Sequence, residues 1–312
     1  MRVAEELAAV APNRHTLLTI GVFDGVHVGH QYLIGQLRKQ AEERGLLSGV
    51  VTFRQRPQTV LNPRSRVNYL TTLEERTKLI RSLGIELVAA LSFTPELSQL
   101  SAREFVLLLK EYLKMRGLVI GPDFALGRGR EGDAVYLKAL GQELDFSVDV
   151  VEPFRQDDET VSSTAIRDAL ARGDVARVTK FLGRNFTLGG PVVKGVERGR
   201  TLGFPTANLA MNSNQALPAD GVYATRVYVG GSTHKAVVNI GQRPTFGEKD
   251  RTIEVYLLDF RGDLYGEEIK VELVERLRAE RKFDSADELK VQISKDVEGA
   301  RAILDGAANQ GQ

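Results

Sequence analysis

The chain has 312 residues, a formal net charge of +1, 42% hydrophobic and 27% charged residues, and no cysteine. That length suits two domains. The near-zero charge gives no general pull toward nucleic acid or anionic membrane, and the missing cysteines exclude disulfides, thiol nucleophiles and Cys-ligated zinc. No apolar run approaches the ~18 residues of a membrane span. The start, Met1-Arg2-Val3-Ala4-Glu5-Glu6, lacks the basic opening and apolar core of a signal peptide, so a cytoplasmic location is expected.

The first half alternates strand and helix. Thr16 to Ile20 reads as a buried strand, followed by Gly21-Val22-Phe23-Asp24-Gly25-Val26-His27-Val28-Gly29-His30 and then a helix with Leu33, Leu37 and Ala41 on one face, stopped by Gly45. Leu47 to Phe53 is a second strand, completing a βαβ unit. Arg54 to Val67 reads as an arginine-rich loop with Pro57 and Pro63. Thr72-Leu73-Glu74-Glu75 and Ser101-Ala102-Arg103-Glu104 are capping boxes that open helices. Strands are expected at Ile85 to Leu91, Leu118 to Gly121 and Phe146 to Val150, with a helix from about Ala134. The sum is α/β, a Rossmann-like parallel sheet with flanking helices.

Two short helical stretches follow, Thr164 to Ala171 and Asp174 to Leu182. From there the pattern is strand-like, with runs at Val222 to Val229, Lys235 to Ile240, Thr252 to Leu258 and Ile269 to Val274, and a Gly230-Gly231 hairpin turn. A capping box at Ser285-Ala286-Asp287-Glu288 opens a last helix with Leu289, Ile293, Val297, Ala300 and Leu304 on one face, and the tail from Gly306 to Gln312 is expected to fray. The second half is therefore expected to be a small antiparallel β-barrel closed by a helix. The boundary falls at 183/184, giving domains 1–183 and 184–312.

Two of the chain's four histidines, His27 and His30, sit where a strand turns into a helix. Such a turn offers free N–H groups and the positive end of a helix dipole to an anion. Gly21, Gly25 and Gly29 permit close approach. Two imidazoles beside that cradle point to phosphate chemistry, against the alternative of a glycine-rich turn with exposed histidines. Asp123, in Gly121 to Gly127 on the same rim, is placed to hold a ribose, a base or a helix end. Ser163, Thr164 and Arg167 combine hydroxyls at a helix start with a guanidinium one turn in, suited to phosphate oxygens or to simple capping. In the second half, Thr206 and Asn208 alternate in an extended segment and share a face, where hydroxyl and amide oxygens suit Mg²⁺ carrying ATP phosphates.

His27-Val28-Gly29-His30 resembles the His-x-Gly-His signature of the nucleotidylyltransferase superfamily. Together with Asp123 to Gly127, Ser163-Thr164-x-x-Arg167, Gly199-Arg200-Thr201-Leu202-Gly203-Phe204-Pro205-Thr206-Ala207-Asn208, Val238-Asn239-Ile240-Gly241, Arg243-Pro244-Thr245-Phe246 and Glu254, it closely resembles the bifunctional bacterial riboflavin kinase/FMN adenylyltransferase family. The resemblance implies that riboflavin and ATP give FMN in the barrel, and that FMN and ATP give FAD and pyrophosphate in the α/β domain. It implies catalytic roles for His27, His30 and Glu254, the last as a base. It implies ATP contacts at Gly21, Phe23, Asp24, Gly25, Gly29, Asp123, Gly127, Ser163, Thr164 and Arg167, and ATP and Mg²⁺ contacts at Gly203, Phe204, Pro205, Thr206 and Asn208. Arg276 to Phe283 resembles the family's flavin-closing flap, with Arg278 and Phe283 as flavin contacts. ATP, riboflavin and FMN are the expected partners; no nucleic acid and no membrane is expected, and nothing in the sequence specifies an oligomer. The chain departs from the family where Phe53-Arg54-Gln55-Arg56-Pro57 replaces an expected Phe-x-Pro-His-Pro. That departure keeps open a protein with only one of the two activities; a flavin or nucleotide sensor without turnover is a separate alternative.

Overall fold

The computed structural model describes residues 1–62, 64, 68–157, 159–195, 203–211, 214–242 and 251–306. The chain divides into two compact units, Met1–Ser163 and Thr164–Gln312.

In the first unit α1 (Arg2–Ala8) precedes β1 (Thr16–Ile20), α2 (Val28–Glu43), β2 (Leu47–Phe53), α3 (Pro57–Leu61), α4 (Leu73–Ser82), β3 (Leu87–Leu91), α5 (Pro95–Gln99), α6 (Ala102–Leu113), β4 (Met115–Ile120), α7 (Ala134–Leu144) and β5 (Ser147–Val150). A two-stranded ribbon follows, β6 (Arg155–Gln156) with β7 (Glu159–Thr160). The five long strands form one parallel sheet in the order β3-β2-β1-β4-β5. Successive strand residues point to opposite faces, and the core divides accordingly. Leu18, Ile20, Val51 and Leu118 pack under α1, α6 and α7. Leu17, Val50, Val88 and Val119 pack under α2 and α4 through Ile34, Leu37, Ala41 and Ile80. Each such side chain contributes roughly 1.5–3 kcal/mol of burial.

The chain leaves β1 toward β2 and β3 on one side, then crosses to β4 and β5 on the other. The switch point therefore lies at the carboxyl end of β1, where ligands bind in sheets of this kind. The capping boxes lie where the sequence puts them. Ser101 Oγ accepts from the Glu104 N–H while the Glu104 carboxylate accepts from the Ser101 N–H, and Thr72 Oγ1 accepts from the Glu75 N–H. The expected loop at Arg54 to Val67 differs: its first part is α3, begun by Pro57 at the first helical position, where proline's fixed φ and missing N–H cost nothing.

In the second unit α8 (Ser163–Arg172, its first residue belonging to the first unit) and α9 (Val175–Leu182) lead into the barrel. Its strands are β8 (Thr187–Val193), β9 (Ala207–Leu209), β10 (Gly221–Val229), β11 (Ser232–Gln242), β12 (Arg251–Leu257) and β13 (Glu268–Ala279), with α10 (Ala286–Gly306) last. They close in the order β10-β11-β12-β9-β8-β13. Tyr223, Thr225, Val238, Val255 and Val271 are fully buried at paired register positions along the inner face. On the outer face Val222, Ala224 and Val237 pack against Ala300 and Leu304 of α10. Residues 63 and 65–67 of the arginine-rich stretch, residues 196–202 with Gly199 to Leu202, residues 243–250 with Arg243-Pro244-Thr245-Phe246, and residues 307–312, on which parts of the sequence reading fall, lie outside the described residues.

Candidate functional site

In the first unit β1 ends at Ile20 and α2 begins at Val28. His27 is the N-cap of α2, and its Nδ1 accepts from the His30 backbone N–H at 3.3 Å. The two rings stack with centroids 3.6 Å apart, and Phe23 meets His30 edge-on at 5.1 Å. Gly29 leaves room for this arrangement: a Cβ there would stand 3.2 Å from His27 Nδ1. The turn is tight. Phe23 (φ 51°) and Val26 (φ 41°) lie in the left-handed region along with Gly25 (φ 83°), a cost of roughly 1–3 kcal/mol for each non-glycine.

What holds the turn is Asp24. It is 1% exposed, and one carboxylate oxygen accepts from the Leu70 N–H (2.9 Å) and the Thr71 N–H (3.3 Å). The other is ion-paired with Arg56, which is also buried. The Arg56 guanidinium lies 5.3 Å from the Tyr69 ring, and the Arg56 backbone N–H donates to the Tyr69 hydroxyl at 2.8 Å. Thr71 Oγ1 accepts from the Gly25 N–H, and the Asp24 carbonyl accepts from Ser163 Oγ at 2.8 Å. One aspartate thus ties the β1–α2 turn to the segments at Arg56, Leu70–Thr71 and Ser163. Arg56, where the sequence departs from the family pattern, is a buried partner of that aspartate.

His30 is held well below the ordinary histidine range, first by burial, then by His27 and by the Arg76 guanidinium. Thr164 is exposed, and Arg167 donates to its hydroxyl at 3.4 Å. Asp123 is also exposed, and its carbonyl accepts from Arg130 at 2.9 Å. Gly127 (φ 80°) lies against the start of α6, where a Cβ would come within 2.5 Å of the Ala102 nitrogen; packing alone accounts for the glycine.

In the barrel, Glu254 of β12 lies directly between Asn208 of β9 and Asn239 of β11. Directly paired residues share a face, so the three side chains form one row. Asn208 is buried, and Gly195 makes room for it: a Cβ there would stand 1.9 Å from Asn208 Nδ2. Pro205 and Thr206 line a cleft of about 470 Å³ with Phe260, Asp263 and Tyr265. Ala207 and Val255, which also line it, point to the strand face opposite Asn208 and Glu254. Phe204 packs edge-on to Tyr256 at 5.4 Å, and Gly203 adopts φ 87°. Arg278 makes a bidentate pair with Asp296 of α10, its nearest contact 2.8 Å, and lies with Arg281 over the Phe283 ring.

The sequence reading singled out neither Arg76 nor Glu280. The Glu280 carboxyl is pushed up by burial, with the charges of Asp220 and Glu254 adding to it, and Gly241 leaves the space it fills. A strand-end glutamate and a helix-borne arginine in a charged run carry no sequence signal of burial.

The chain is a two-unit transferase, one unit built on a parallel sheet and the other on a closed barrel. A family model for FAD synthetase matches residues 10–165, and one for riboflavin kinase matches residues 182–304. Curated bifunctional riboflavin kinase/FMN adenylyltransferases are similar over nearly the whole chain. The Escherichia coli protein is 39% identical, covering 94% of each chain, and the Bacillus subtilis protein is 38% identical, covering 91% of each. A crystal structure described as a macrolide-efflux protein from Streptococcus pneumoniae is 32% identical, with a TM-score of 0.88 and coverage of 96% of this chain and 97% of that one. The efflux in that description belongs to that protein; among the described residues here, no helix is long and apolar enough to cross a membrane. The chain belongs to the bifunctional riboflavin kinase/FMN adenylyltransferase family.

Proposed function

We propose that residues 1–183 adenylylate FMN to FAD and residues 184–312 phosphorylate riboflavin to FMN, each with its own ATP. The observation that carries this division is that each unit has its own polar constellation on its own scaffold. In the first it is the stacked imidazoles at the end of β1; in the second, the Asn208–Glu254–Asn239 row across three strands.

In the first unit a phosphate oxygen of FMN attacks the α-phosphorus of ATP, the bond from that phosphorus to the β-bridging oxygen breaks, and pyrophosphate leaves. The attacking oxygen is already anionic, so no base is needed. The demand is for hydrogen-bond donors where charge builds up, a role that suits His27 and His30. Ser163, Thr164 and Arg167 hold the triphosphate, and the glycines of the turn let it approach. Asp24 works from behind: its carboxylate is committed to Arg56, Leu70 and Thr71, so it shapes the cradle without touching the nucleotide.

In the second unit the terminal ribityl hydroxyl is neutral, so Glu254 takes its proton as that oxygen attacks the γ-phosphorus, the bond from that phosphorus to the β,γ-bridging oxygen breaks, and ADP leaves. Thr206 and Asn208 offer hard oxygen donors that fit Mg²⁺. Among the described residues no group of three or more His, Asp or Glu side chains is placed to hold a metal alone, which suits an ion shared with ATP phosphates. When bound, Mg²⁺ neutralises charge on those phosphates. Arg278 and Phe283 are proposed to close over the flavin. Consumption of ATP at both sites supports a cytoplasmic location.

The test is to incubate the full chain with riboflavin, ATP and Mg²⁺ and separate FMN and FAD over time. His27→Asn, which keeps an N-cap acceptor, is expected to cut FAD formation by roughly 10²–10³ while FMN accumulates. Glu254→Gln is expected to block FMN formation, while added FMN still becomes FAD. Equal loss of both products in either folded variant refutes the division.

A further inference from the structure

Asp296 sits on the apolar stripe of α10. Ala300 and Leu304, one and two turns further on, pack against the barrel, and Asp296 is buried with them at 6% exposure. Stability alone does not call for a carboxylate there, because a buried ion pair is often replaced by apolar side chains without loss. What the carboxylate does supply is geometry. Oδ1 accepts from Arg278 Nε at 3.0 Å, and Oδ2 accepts from Arg278 Nη2 at 2.8 Å, the fork that fixes a guanidinium in both position and plane. Oδ1 also accepts from Gln292 Nε2 at 2.8 Å, and Gln292 Oε1 in turn accepts from Arg281 Nη2 at 2.8 Å.

These bonds form a bracket around Phe283. The Arg278 and Arg281 guanidinium groups lie 5.6 and 4.7 Å from its ring centroid, within cation–π reach. Both are held by residues one turn apart on the same helix, Asp296 and Gln292. Phe283 itself stands in residues 280–285, a stretch that is neither strand nor helix, between the end of β13 at Ala279 and the start of α10 at Ala286. No ladder or helical bond fixes that stretch, so the side chains of α10 locate the ring.

We propose that Asp296 and Gln292 are positioning residues of the kinase site: they touch no substrate, and through Arg278 and Arg281 they hold Phe283 where it meets the ring system of riboflavin. This rests on the reading above that Arg278 and Phe283 close over the flavin. A side chain already held in place loses little freedom when the flavin arrives, so the bracket strengthens flavin binding. It adds nothing to proton transfer at Glu254 or to the hold on ATP. Its loss therefore belongs in the KM for riboflavin and not in kcat.

The experiment is steady-state kinetics of FMN formation by the full chain, with riboflavin and MgATP varied in turn. Asp296→Asn is expected to raise the KM for riboflavin about tenfold, with kcat and the KM for MgATP within about twofold of the unmodified protein. Gln292→Met, which frees Arg281 but leaves the Arg278–Asp296 pair, should raise the riboflavin KM by about threefold. Because Asp296 acts through Arg278, Asp296→Asn combined with Arg278→Met should be no worse than Arg278→Met alone. The proposal is overturned if folded Asp296→Asn keeps the riboflavin KM while Arg278→Met raises it, or if the two effects add in full. A fall in kcat with both KM values raised together also overturns it, since that is the mark of a general structural role. If Asp296→Asn does not fold, Gln292→Met decides: an unchanged riboflavin KM there overturns the bracket. If Arg278→Met and Phe283→Ala both leave the riboflavin KM unchanged, the flavin-contact reading of those two residues is what fails, and the proposal falls with it.

Discussion

Asp24→Asn tests whether the β1–α2 turn is held by one buried charge. The substitution keeps size and leaves an oxygen for the Leu70 and Thr71 N–H groups, but it strands Arg56, only 7% exposed, without its counter-charge. Breaking a buried ion pair from one side costs ~3–5 kcal/mol. Two hydrogen bonds to a charged acceptor become bonds to a neutral one, adding about 1 kcal/mol. In a unit ending at Ser163, each kcal/mol lowers Tm by roughly 2–4 °C, so the transition of this unit should fall by about 8–24 °C. Differential scanning calorimetry of the full chain reads that transition, and FMN formation reports whether the barrel remains intact. The decisive variant is Asp24→Asn with Arg56→Met. Removing the stranded cation should restore stability, so the double variant should melt above Asp24→Asn. A loss below about 1 kcal/mol, or a double variant that melts lower still, refutes the reasoning.

Two further outcomes follow from geometry and titration. Gly195→Ala places a Cβ 1.9 Å from Asn208 Nδ2, backing the side chain proposed to share Mg²⁺ with ATP. The KM for MgATP in FMN formation should rise by an order of magnitude or so with FAD formation from added FMN unchanged, and steady-state kinetics at varied Mg²⁺ would measure it. The second concerns acid. Unfolded His30 takes its proton near pH 6.5, and folded His30 only well below it. Stability from this group is present above pH 6.5 and is lost as the pH falls toward the folded value. The Tm of the first unit should decline over that range with a slope that His30→Gln reduces; an identical slope in both proteins counts against the shift.

The elements that could be read from sequence were those set by local rules. Thr16 to Ile20 is apolar enough to announce a strand, and Thr72, Ser101 and Ser285 each carry the cap that begins a helix. The short helices α1, α3 and α5 were not legible. Five to seven residues hold too little of the helical period to be seen, and α1 and α5 form where tertiary contact covers them, as the buried Val3, Leu7 and Leu97 show. Strand β9 has three residues and exists because β12 and β8 flank it. The histidine turn was legible because glycines and histidines are conspicuous. Its support was not: Arg56 reads as part of an arginine-rich loop and Arg76 as a helix surface, and only the folded chain buries them, Arg56 against Asp24 and Arg76 against the Phe53 carbonyl. Likewise Glu280 comes near Glu254 through closure of β13 onto β10, a pairing no local pattern encodes.

The left-handed backbone at Phe23 and Val26 sets stability and activity against each other. A glycine at position 26 would relax the turn and lower the energy of the native backbone. It would also widen the conformations open to the segment that aims His27 and His30. Selection for thermal resistance alone would therefore drift toward a looser cradle, whereas selection on turnover keeps a β-branched residue where the chain least favours one. Laboratory stabilisation of this protein belongs on surfaces remote from residues 21–30, because within that stretch the tension is part of what holds the two rings in place.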